Sequence, residues 1–162
     1  MKMKLKSSIG KAALTASRQL ARIPADVVQL TLRLGLAGVF WASARTKVTG
    51  ALTISESTYF LFEEEYQIPI LPVDIAVPLT TYAEHVLPLL LFVGFATRLS
   101  ALGIFVMTLV IQIFVYPSAF LSTHLGWFAI ALAVMSFGPG RWSLDHLIAK
   151  RQASHPTPEG VN

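Results

Sequence analysis

The chain has 162 residues, of which 54% are hydrophobic and 14% charged, with a net charge of +4. About a quarter of the residues in a soluble domain are charged, so the composition excludes an ordinary soluble fold and points to a bilayer as the surrounding solvent. There is no cysteine, which excludes disulfides, thiol exchange, iron–sulfur ligation and covalent haem attachment. No aromatic–basic interleave, zinc spacing or helix-turn-helix pattern suggests nucleic-acid binding.

Six of the thirteen Lys and Arg residues fall within the first 22 positions. The stretch "LKSSIGKAALTASRQLAR" suits a basic amphipathic helix lying on the inner leaflet. Its apolar part, "IGKAALTA", is interrupted by lysine and is too weak for the core of a cleaved signal. Residues 1–26 are therefore set apart as a basic amphipathic segment. The first span is expected at about Val27–Ala44, opened by Pro24, with Asp26 near the positive end of the helix dipole. Gly35 and Gly38 would let a neighbouring helix approach closely. Arg33 lies within this span and needs a partner. Asp145, beyond the last span, is the nearest plausible acid apart from Asp26, and a structural ion pair between Arg33 and Asp145 is expected.

A loop of about thirty residues follows, too long to be idle. It holds aromatics, several prolines and three consecutive acids, Glu63, Glu64 and Glu65. Carboxylates suit hard cations, but three adjacent acids point in different directions, so a solvated acidic face is the simpler reading. Such a face can also dock a partner. "TYFLF" suits a short interfacial helix or re-entrant turn with its rings at headgroup level.

The second span is expected at about Leu79–Ala96. Between Ile75 and Thr97 the only Asp, Glu, Lys or Arg is Glu84. A carboxylate at membrane depth costs about 2.5–3.5 kcal/mol on insertion scales. This register puts Glu84 about one and a half turns inside the outer end. Pro88 lacks the N–H that would meet the Glu84 carbonyl, so a bend is expected beside the acid. Two readings stay open: a site for a proton, a cation or a quinone hydroxyl, and a buried glutamate hydrogen-bonded across the bundle. His85 points about 100° away and is expected to bond a neighbouring helix or to reach the interface, in preference to ligating metal or haem.

From Leu99 to Gly140 there are 42 residues without a charged side chain, about twice the length of one spanning helix. "YPS" at Tyr116–Ser118 divides this run into spans at about Leu99–Tyr116 and Thr123–Phe137. Thr108, Gln112 and Tyr116 form one stripe at four-residue spacing. His124 and Trp127 open the fourth span on one face. With Glu84, these residues define a candidate polar pocket: Glu84, Gln112, Tyr116, His124 and Trp127, from three helices at one depth. The competing reading is an aromatic belt with helix-packing hydrogen bonds. "GPG" ends the fourth span and Ser143 is placed to cap "SLDHLIAKR". Residues 27–151 form the membrane domain, and residues 152–162 are expected to be disordered.

Basic residues flank the termini and the link at Arg98, whereas the long loop is acidic. Both termini are therefore expected in the cytoplasm, with the loop outside. Fold class is all-α: a bundle of four membrane-spanning helices with an amphipathic helix before it.

"LRLGLAGVFWASARTKVTG", "FEEEYQIP", "AEHVLPLLLFVGFATRLSALG", "IQIFVYP", "HLGW" and "GPGRWSLD" resemble, in order and spacing, the DoxX family of bacterial inner-membrane proteins. The resemblance runs from about Leu32 to Leu147. It implies a four-helix membrane bundle and an association with quinone- or sulfur-linked redox chemistry. "FEEEY" is similar to members encoded beside multinuclear iron oxidases in metal-stress gene clusters.

The expected function is an accessory inner-membrane subunit, rather than a stand-alone enzyme, supporting redox or metal-stress chemistry on the periplasmic side. The cofactor is left open, with quinone a candidate ahead of metal or haem, and no catalytic residue is assigned. The partners expected are the lipid bilayer and a redox or metal-handling protein. A non-catalytic scaffold docking through the acidic loop is the alternative. So is a solute conduit, which four spans could form only as a homo-oligomer.

Overall fold

The computed structural model describes residue 11 and residues 13–154. The expectations for residues 1–10, residue 12 and residues 155–162, and hence part of the amphipathic start and most of the tail, lie outside the described residues. Residues 13–20 are helical and exposed.

Four helices are long and apolar enough to cross a membrane. Helix α1 (Ala25–Thr46) follows Pro24 and carries Asp26 in its first turn, a charge that the helix dipole favours. Strands β1 (Val48–Thr49) and β2 (Thr53–Ile54) form a small antiparallel hairpin, with Val48 opposite Ile54. Arg45 fixes its turn by donating to the carbonyls of Ala51 at 2.7 Å and Gly50 at 2.6 Å. Helix α2 (Glu56–Leu61) runs into a π-helical turn, Phe62–Tyr66, which ends at Gln67 in the left-handed region.

Helix α3 (Val73–Val93) starts six residues before the expected boundary. Pro72 precedes it and Asp74 occupies the first turn, and the helix continues through Pro78 and Pro88 without ending. Glu84 therefore lies about 16 Å along α3 from Val73, near its middle. The reason is that α3 rises beyond the end of α1 and packs there against the loop, where Phe62, Ala76 and Val77 form a second apolar cluster. Gly94, at φ 71, ends α3. Helix α4 (Thr97–Val110) continues as a π-helical turn, Ile111–Val115. A 3₁₀ turn at Pro117–Ala119 and a π-helical turn at Phe120–His124 lead into α5 (Leu125–Phe137). "YPS" thus divides the apolar run as expected, but the fourth span begins at Pro117 rather than Thr123. Helix α6 (Leu144–Ala153) closes the described chain, and Ser143 caps it by accepting from His146 N at 3.1 Å. The first residues of the expected tail, Gln152 and Ala153, are helical.

The core lies between all four spans: Leu36, Ala37 and Phe40 of α1, Leu91 of α3, Ala101 and Ile104 of α4, and Ala131 and Val134 of α5. Gly35 and Gly38 do not mediate a close helix approach, because nothing lies within 4 Å of where their Cβ atoms would be. Close approach occurs instead at Gly103, where a Cβ would sit 2.9 Å from Leu87 Cδ1.

The expected pair Arg33–Asp145 takes a different form. Arg33 is 1% exposed, and its Nη2 donates to the Trp142 carbonyl at 2.7 Å. Asp145 accepts from Ala96 N at 2.8 Å and Thr97 N at 2.9 Å, capping the start of α4. No ion pair joins the two residues; among the described residues the one salt bridge is elsewhere. The physical reason is that unpaired N–H groups at a helix start are themselves strong partners for a carboxylate. Asp145 satisfies two of them, and the arginine turns to a carbonyl.

Candidate functional site

Glu84 is 2% exposed and its Oε2 lies 2.7 Å from Lys47 Nζ. Lys47 is the residue that caps the C-terminus of α1. Its ammonium also donates to Ser43 Oγ at 3.0 Å, leaving one of its three N–H groups without a recorded partner. The loop holds the Lys47 backbone in place: its carbonyl accepts from Ser55 N at 3.1 Å and Thr58 Oγ1 at 2.9 Å. Hairpin and α2 thus fix the lysine, and α3 brings the acid to it.

The pair borders a cavity of about 140 Å³ at the loop end of the bundle. Of the five pocket residues expected from sequence, Glu84, Tyr116, His124 and Trp127 line it, together with Lys47 and Tyr66. Gln112 stands behind the lining. Its Nε2 donates to the Pro117 carbonyl at 2.8 Å, which turns Oε1 toward His124 Nδ1, 2.6 Å away. With an oxygen facing it, Nδ1 must carry the proton, so in the neutral ring Nε2 is the acceptor. Trp127 braces the imidazole, with ring centroids 5.2 Å apart, and itself meets Phe40 edge-on at 5.3 Å.

Tyr116 is 42% exposed and donates its hydroxyl to Glu65 Oε1 at 2.6 Å. That bond raises the Tyr116 pKa, and burial and the Tyr66 hydroxyl add to the rise. Tyr66 meets Tyr116 edge-on at 5.8 Å. Its own pKa is raised by burial first, then by the charges of Glu65 and Glu84, with the Tyr116 hydroxyl opposing. The three glutamates do not act as one group. Glu65 reaches back to the bundle, whereas all three are exposed. Among the described residues, no three His, Asp or Glu side chains converge on a metal-sized position.

His85 stands apart. Its Nδ1 bonds the Thr81 carbonyl of its own helix at 2.7 Å and its ring packs edge-on against Trp41 at 5.4 Å. It neither lines the cavity nor bonds another helix, because the carbonyl one turn earlier is within reach. Thr108 likewise donates to its own helix, at Ile104, 2.8 Å away.

Sequence reasoning missed Lys47, Ser43 and Tyr66. A signal for Lys47 existed: a buried acid requires a cation, and Arg45 and Lys47 are the two cations at that end of the first span. Tyr66 sits in the same "FEEEY" motif as the acids, but nothing local tells that the turn is π-helical and folds back over the bundle.

Comparison with curated proteins and with solved structures returned no match. The family model described as DoxX matches residues 28–117, more than half of the chain. That region includes nearly all of α1, the hairpin, the loop, α3, α4 and most of the cavity lining, so the match covers the ion pair and three of the four spans, while His124 and Trp127 lie beyond it. The chain is a multi-pass membrane protein of the DoxX family.

Proposed function

We propose that the chain is an accessory subunit of the bacterial inner membrane, with its termini in the cytoplasm and its acidic loop in the periplasm, that holds a quinone headgroup in the cavity beside Lys47 and Glu84. The observation that carries this reading is the pairing of size and chemistry. The cavity measures about 140 Å³, and an engineered apolar cavity of about 150 Å³ accepts benzene, so one six-membered ring fits. Its lining combines a spare ammonium N–H on Lys47 with an acceptor nitrogen on His124. A donor suits a carbonyl oxygen and an acceptor suits a hydroxyl, so the same walls can hold both states of such a ring.

When bound, a quinone supplies two-electron, two-proton redox chemistry. The residues here bind and orient it. Lys47 donates to a ring oxygen, His124 Nε2 accepts from a ring hydroxyl, and Trp127 and Phe40 keep the ring plane fixed. Glu84 holds the ammonium in place and offers a second proton acceptor if the ion pair opens. The test is extraction of the detergent-purified protein with organic solvent, followed by chromatography. Quinone at close to one per chain is expected, and less of it when His124→Phe protein is purified under reducing conditions. Protein that yields no quinone, and takes none up when it is supplied, overturns the reading.

A second reading rests on a different surface. Glu63 and Glu64 are exposed, one turn after exposed Phe60. That mixed acidic and apolar patch suits docking of a basic, redox or metal-handling protein on the periplasmic side. Pull-down that depends on Glu63 and Glu64, with cavity residues unaltered, would support it.

A further inference from the structure

We propose that the cleft at the end of the bundle opposite the acidic loop binds the phosphate of an anionic phospholipid, held by Arg98 and Arg141. The inference is independent of the Lys47–Glu84 cavity, which lies at the other end of the spans.

Two distant turns bring the arginines to one place. "ATR" joins α3 to α4, and "GPGR" follows α5. Gly138 at φ 81 and Gly140 at φ 75 both lie in the left-handed region that glycine adopts freely, so the chain turns tightly after Phe137. A Cβ on Gly138 would sit 3.1 Å from Arg98 Nη2, and one on Gly140 would sit 2.6 Å from Gln29 Oε1. The turn thus presses on α1 and lies beside the Arg98 guanidinium. Two bonds fasten it there: Gln29 Nε2 donates to the Phe137 carbonyl at 3.0 Å, and Arg141 N donates to Asp26 Oδ1 at 2.8 Å. The result is an open cleft of about 590 Å³, with Arg98, Arg141 and the half-buried His146 in its polar wall. Ligand clefts commonly measure about 300–1,000 Å³.

Two acids line the same cleft, and both are engaged by backbone. Asp145 accepts from Ala96 N and Thr97 N at the start of α4. Asp26 stands in the first turn of α1 and accepts from Arg141 N. A helix start carries about half a positive charge, which offsets part of each carboxylate. Neither acid pairs with a guanidinium, since among the described residues the one salt bridge is Lys47–Glu84. Arg98 makes one long contact, 3.5 Å to the Ser136 carbonyl. A guanidinium has five N–H donors in a planar fork, and that fork matches phosphate oxygens two at a time. Basic pockets between membrane helices recognise anionic headgroups in this way.

The other wall argues for a lipid over a free phosphate ion. Leu99, in the first turn of α4, is 71% exposed, and Phe137, in the last turn of α5, is 70% exposed. Both line the cleft and both belong to spans. Trp142, beside Arg141, is also exposed, as suits an aromatic ring at headgroup level. Polar and apolar walls therefore meet at the ends of the spans, where a headgroup joins its acyl chains. An inorganic anion would gain nothing from Leu99 and Phe137.

The test is native mass spectrometry of the full chain in detergent, titrated with dioleoylphosphatidylglycerol and separately with dioleoylphosphatidylcholine, which share tails and differ in net charge. Wild type is expected to bind one phosphatidylglycerol at least about tenfold more tightly than phosphatidylcholine. Arg98→Gln combined with Arg141→Gln should remove most of that preference. Lys150→Gln combined with Arg151→Gln removes the same charge from α6, outside the cleft lining, and should leave the preference intact. Inorganic phosphate or glycerol 3-phosphate in large excess should not displace the lipid; displacement by either would make this a free-phosphate site and overturn the lipid assignment. Equal affinity of wild type for the two lipids overturns the proposal whatever the variants do. So does a preference that survives in the Arg98 and Arg141 variant, or one that falls equally in the Lys150 and Arg151 variant.

Discussion

Lys47 and Glu84 come from opposite kinds of position, one at the end of a span and the other near the middle of the next, and they meet at 2.7 Å. Burial of both partners gives the pair its weight. Removing one partner of a buried pair leaves a charge with neither water nor counter-ion, at about 3–5 kcal/mol. Lys47→Met is therefore expected to lower the unfolding temperature sharply. Glu84→Gln, which strands the ammonium, should do so too. The double variant should lose less than the sum of the two. Strict additivity in thermal unfolding of the nanodisc-embedded protein would show that the pair is not coupled.

Gly94 is expected to tolerate no side chain. Its φ of 71 lies in the left-handed region, and a Cβ there would run into Arg33 Nη1 and Ser143. Gly94→Ala should destabilise by more than about 1 kcal/mol, and a thermal melt equal to wild type would contradict the close packing of Arg33 at that turn.

Asp145 acts as a cap, so its removal should resemble loss of an N-cap. Asp145→Ala is expected to cost about 0.5–2 kcal/mol. The Arg33→Met and Asp145→Ala changes should combine more nearly additively than those at Lys47 and Glu84, since the arginine's bond goes to Trp142. Thermal melts of the two singles and the double check this.

Tyr116 gives a pH signature. Its phenol ionises above the ordinary value of 10.0, mainly because it donates to Glu65. A raised folded-state pKa stabilises the fold fully below the unfolded value, and that contribution is lost as pH rises from 10.0 through the folded pKa. Ultraviolet titration should show the Tyr116 phenolate, assigned by its loss in Tyr116→Phe, forming only above pH 10.0. Glu65→Gln should bring it earlier. A Tyr116 titration unchanged by that substitution would contradict the bond.

Much of this fold was legible in sequence because membrane spans are set by apolar length and by charge placement. The 42-residue uncharged run and "YPS" located α4 and α5. Leu79 was a poor guide to the start of α3, because Asp74 and Pro78 resemble loop chemistry while being tolerated near a helix start. Four cavity residues were visible because Glu84, Tyr116, His124 and Trp127 are polar or aromatic groups in an apolar background. Lys47 was hidden by its sequence position, since a lysine just beyond a span usually faces water. Arg33 and Asp145 lie close enough for their charges to interact, but no direct bond joins them, because both Asp145 oxygens go to the free N–H groups at Ala96 and Thr97, whose place depends on where α4 begins.

The central claim, that the cavity beside Lys47 and Glu84 holds a quinone ring, is tested most directly by titrating unsubstituted benzoquinone, and separately its hydroquinone under reducing conditions, into the purified chain in nanodiscs. Tryptophan fluorescence is the readout, because Trp127 lines the cavity. Saturable quenching at one site per chain is predicted for wild type. His124→Phe, which fills similar space without an acceptor nitrogen, should weaken binding of the reduced ring by about tenfold or more, the equivalent of about 1.4 kcal/mol. Quenching that rises linearly without saturation, or binding of the reduced ring that is identical in His124→Phe, would contradict the account.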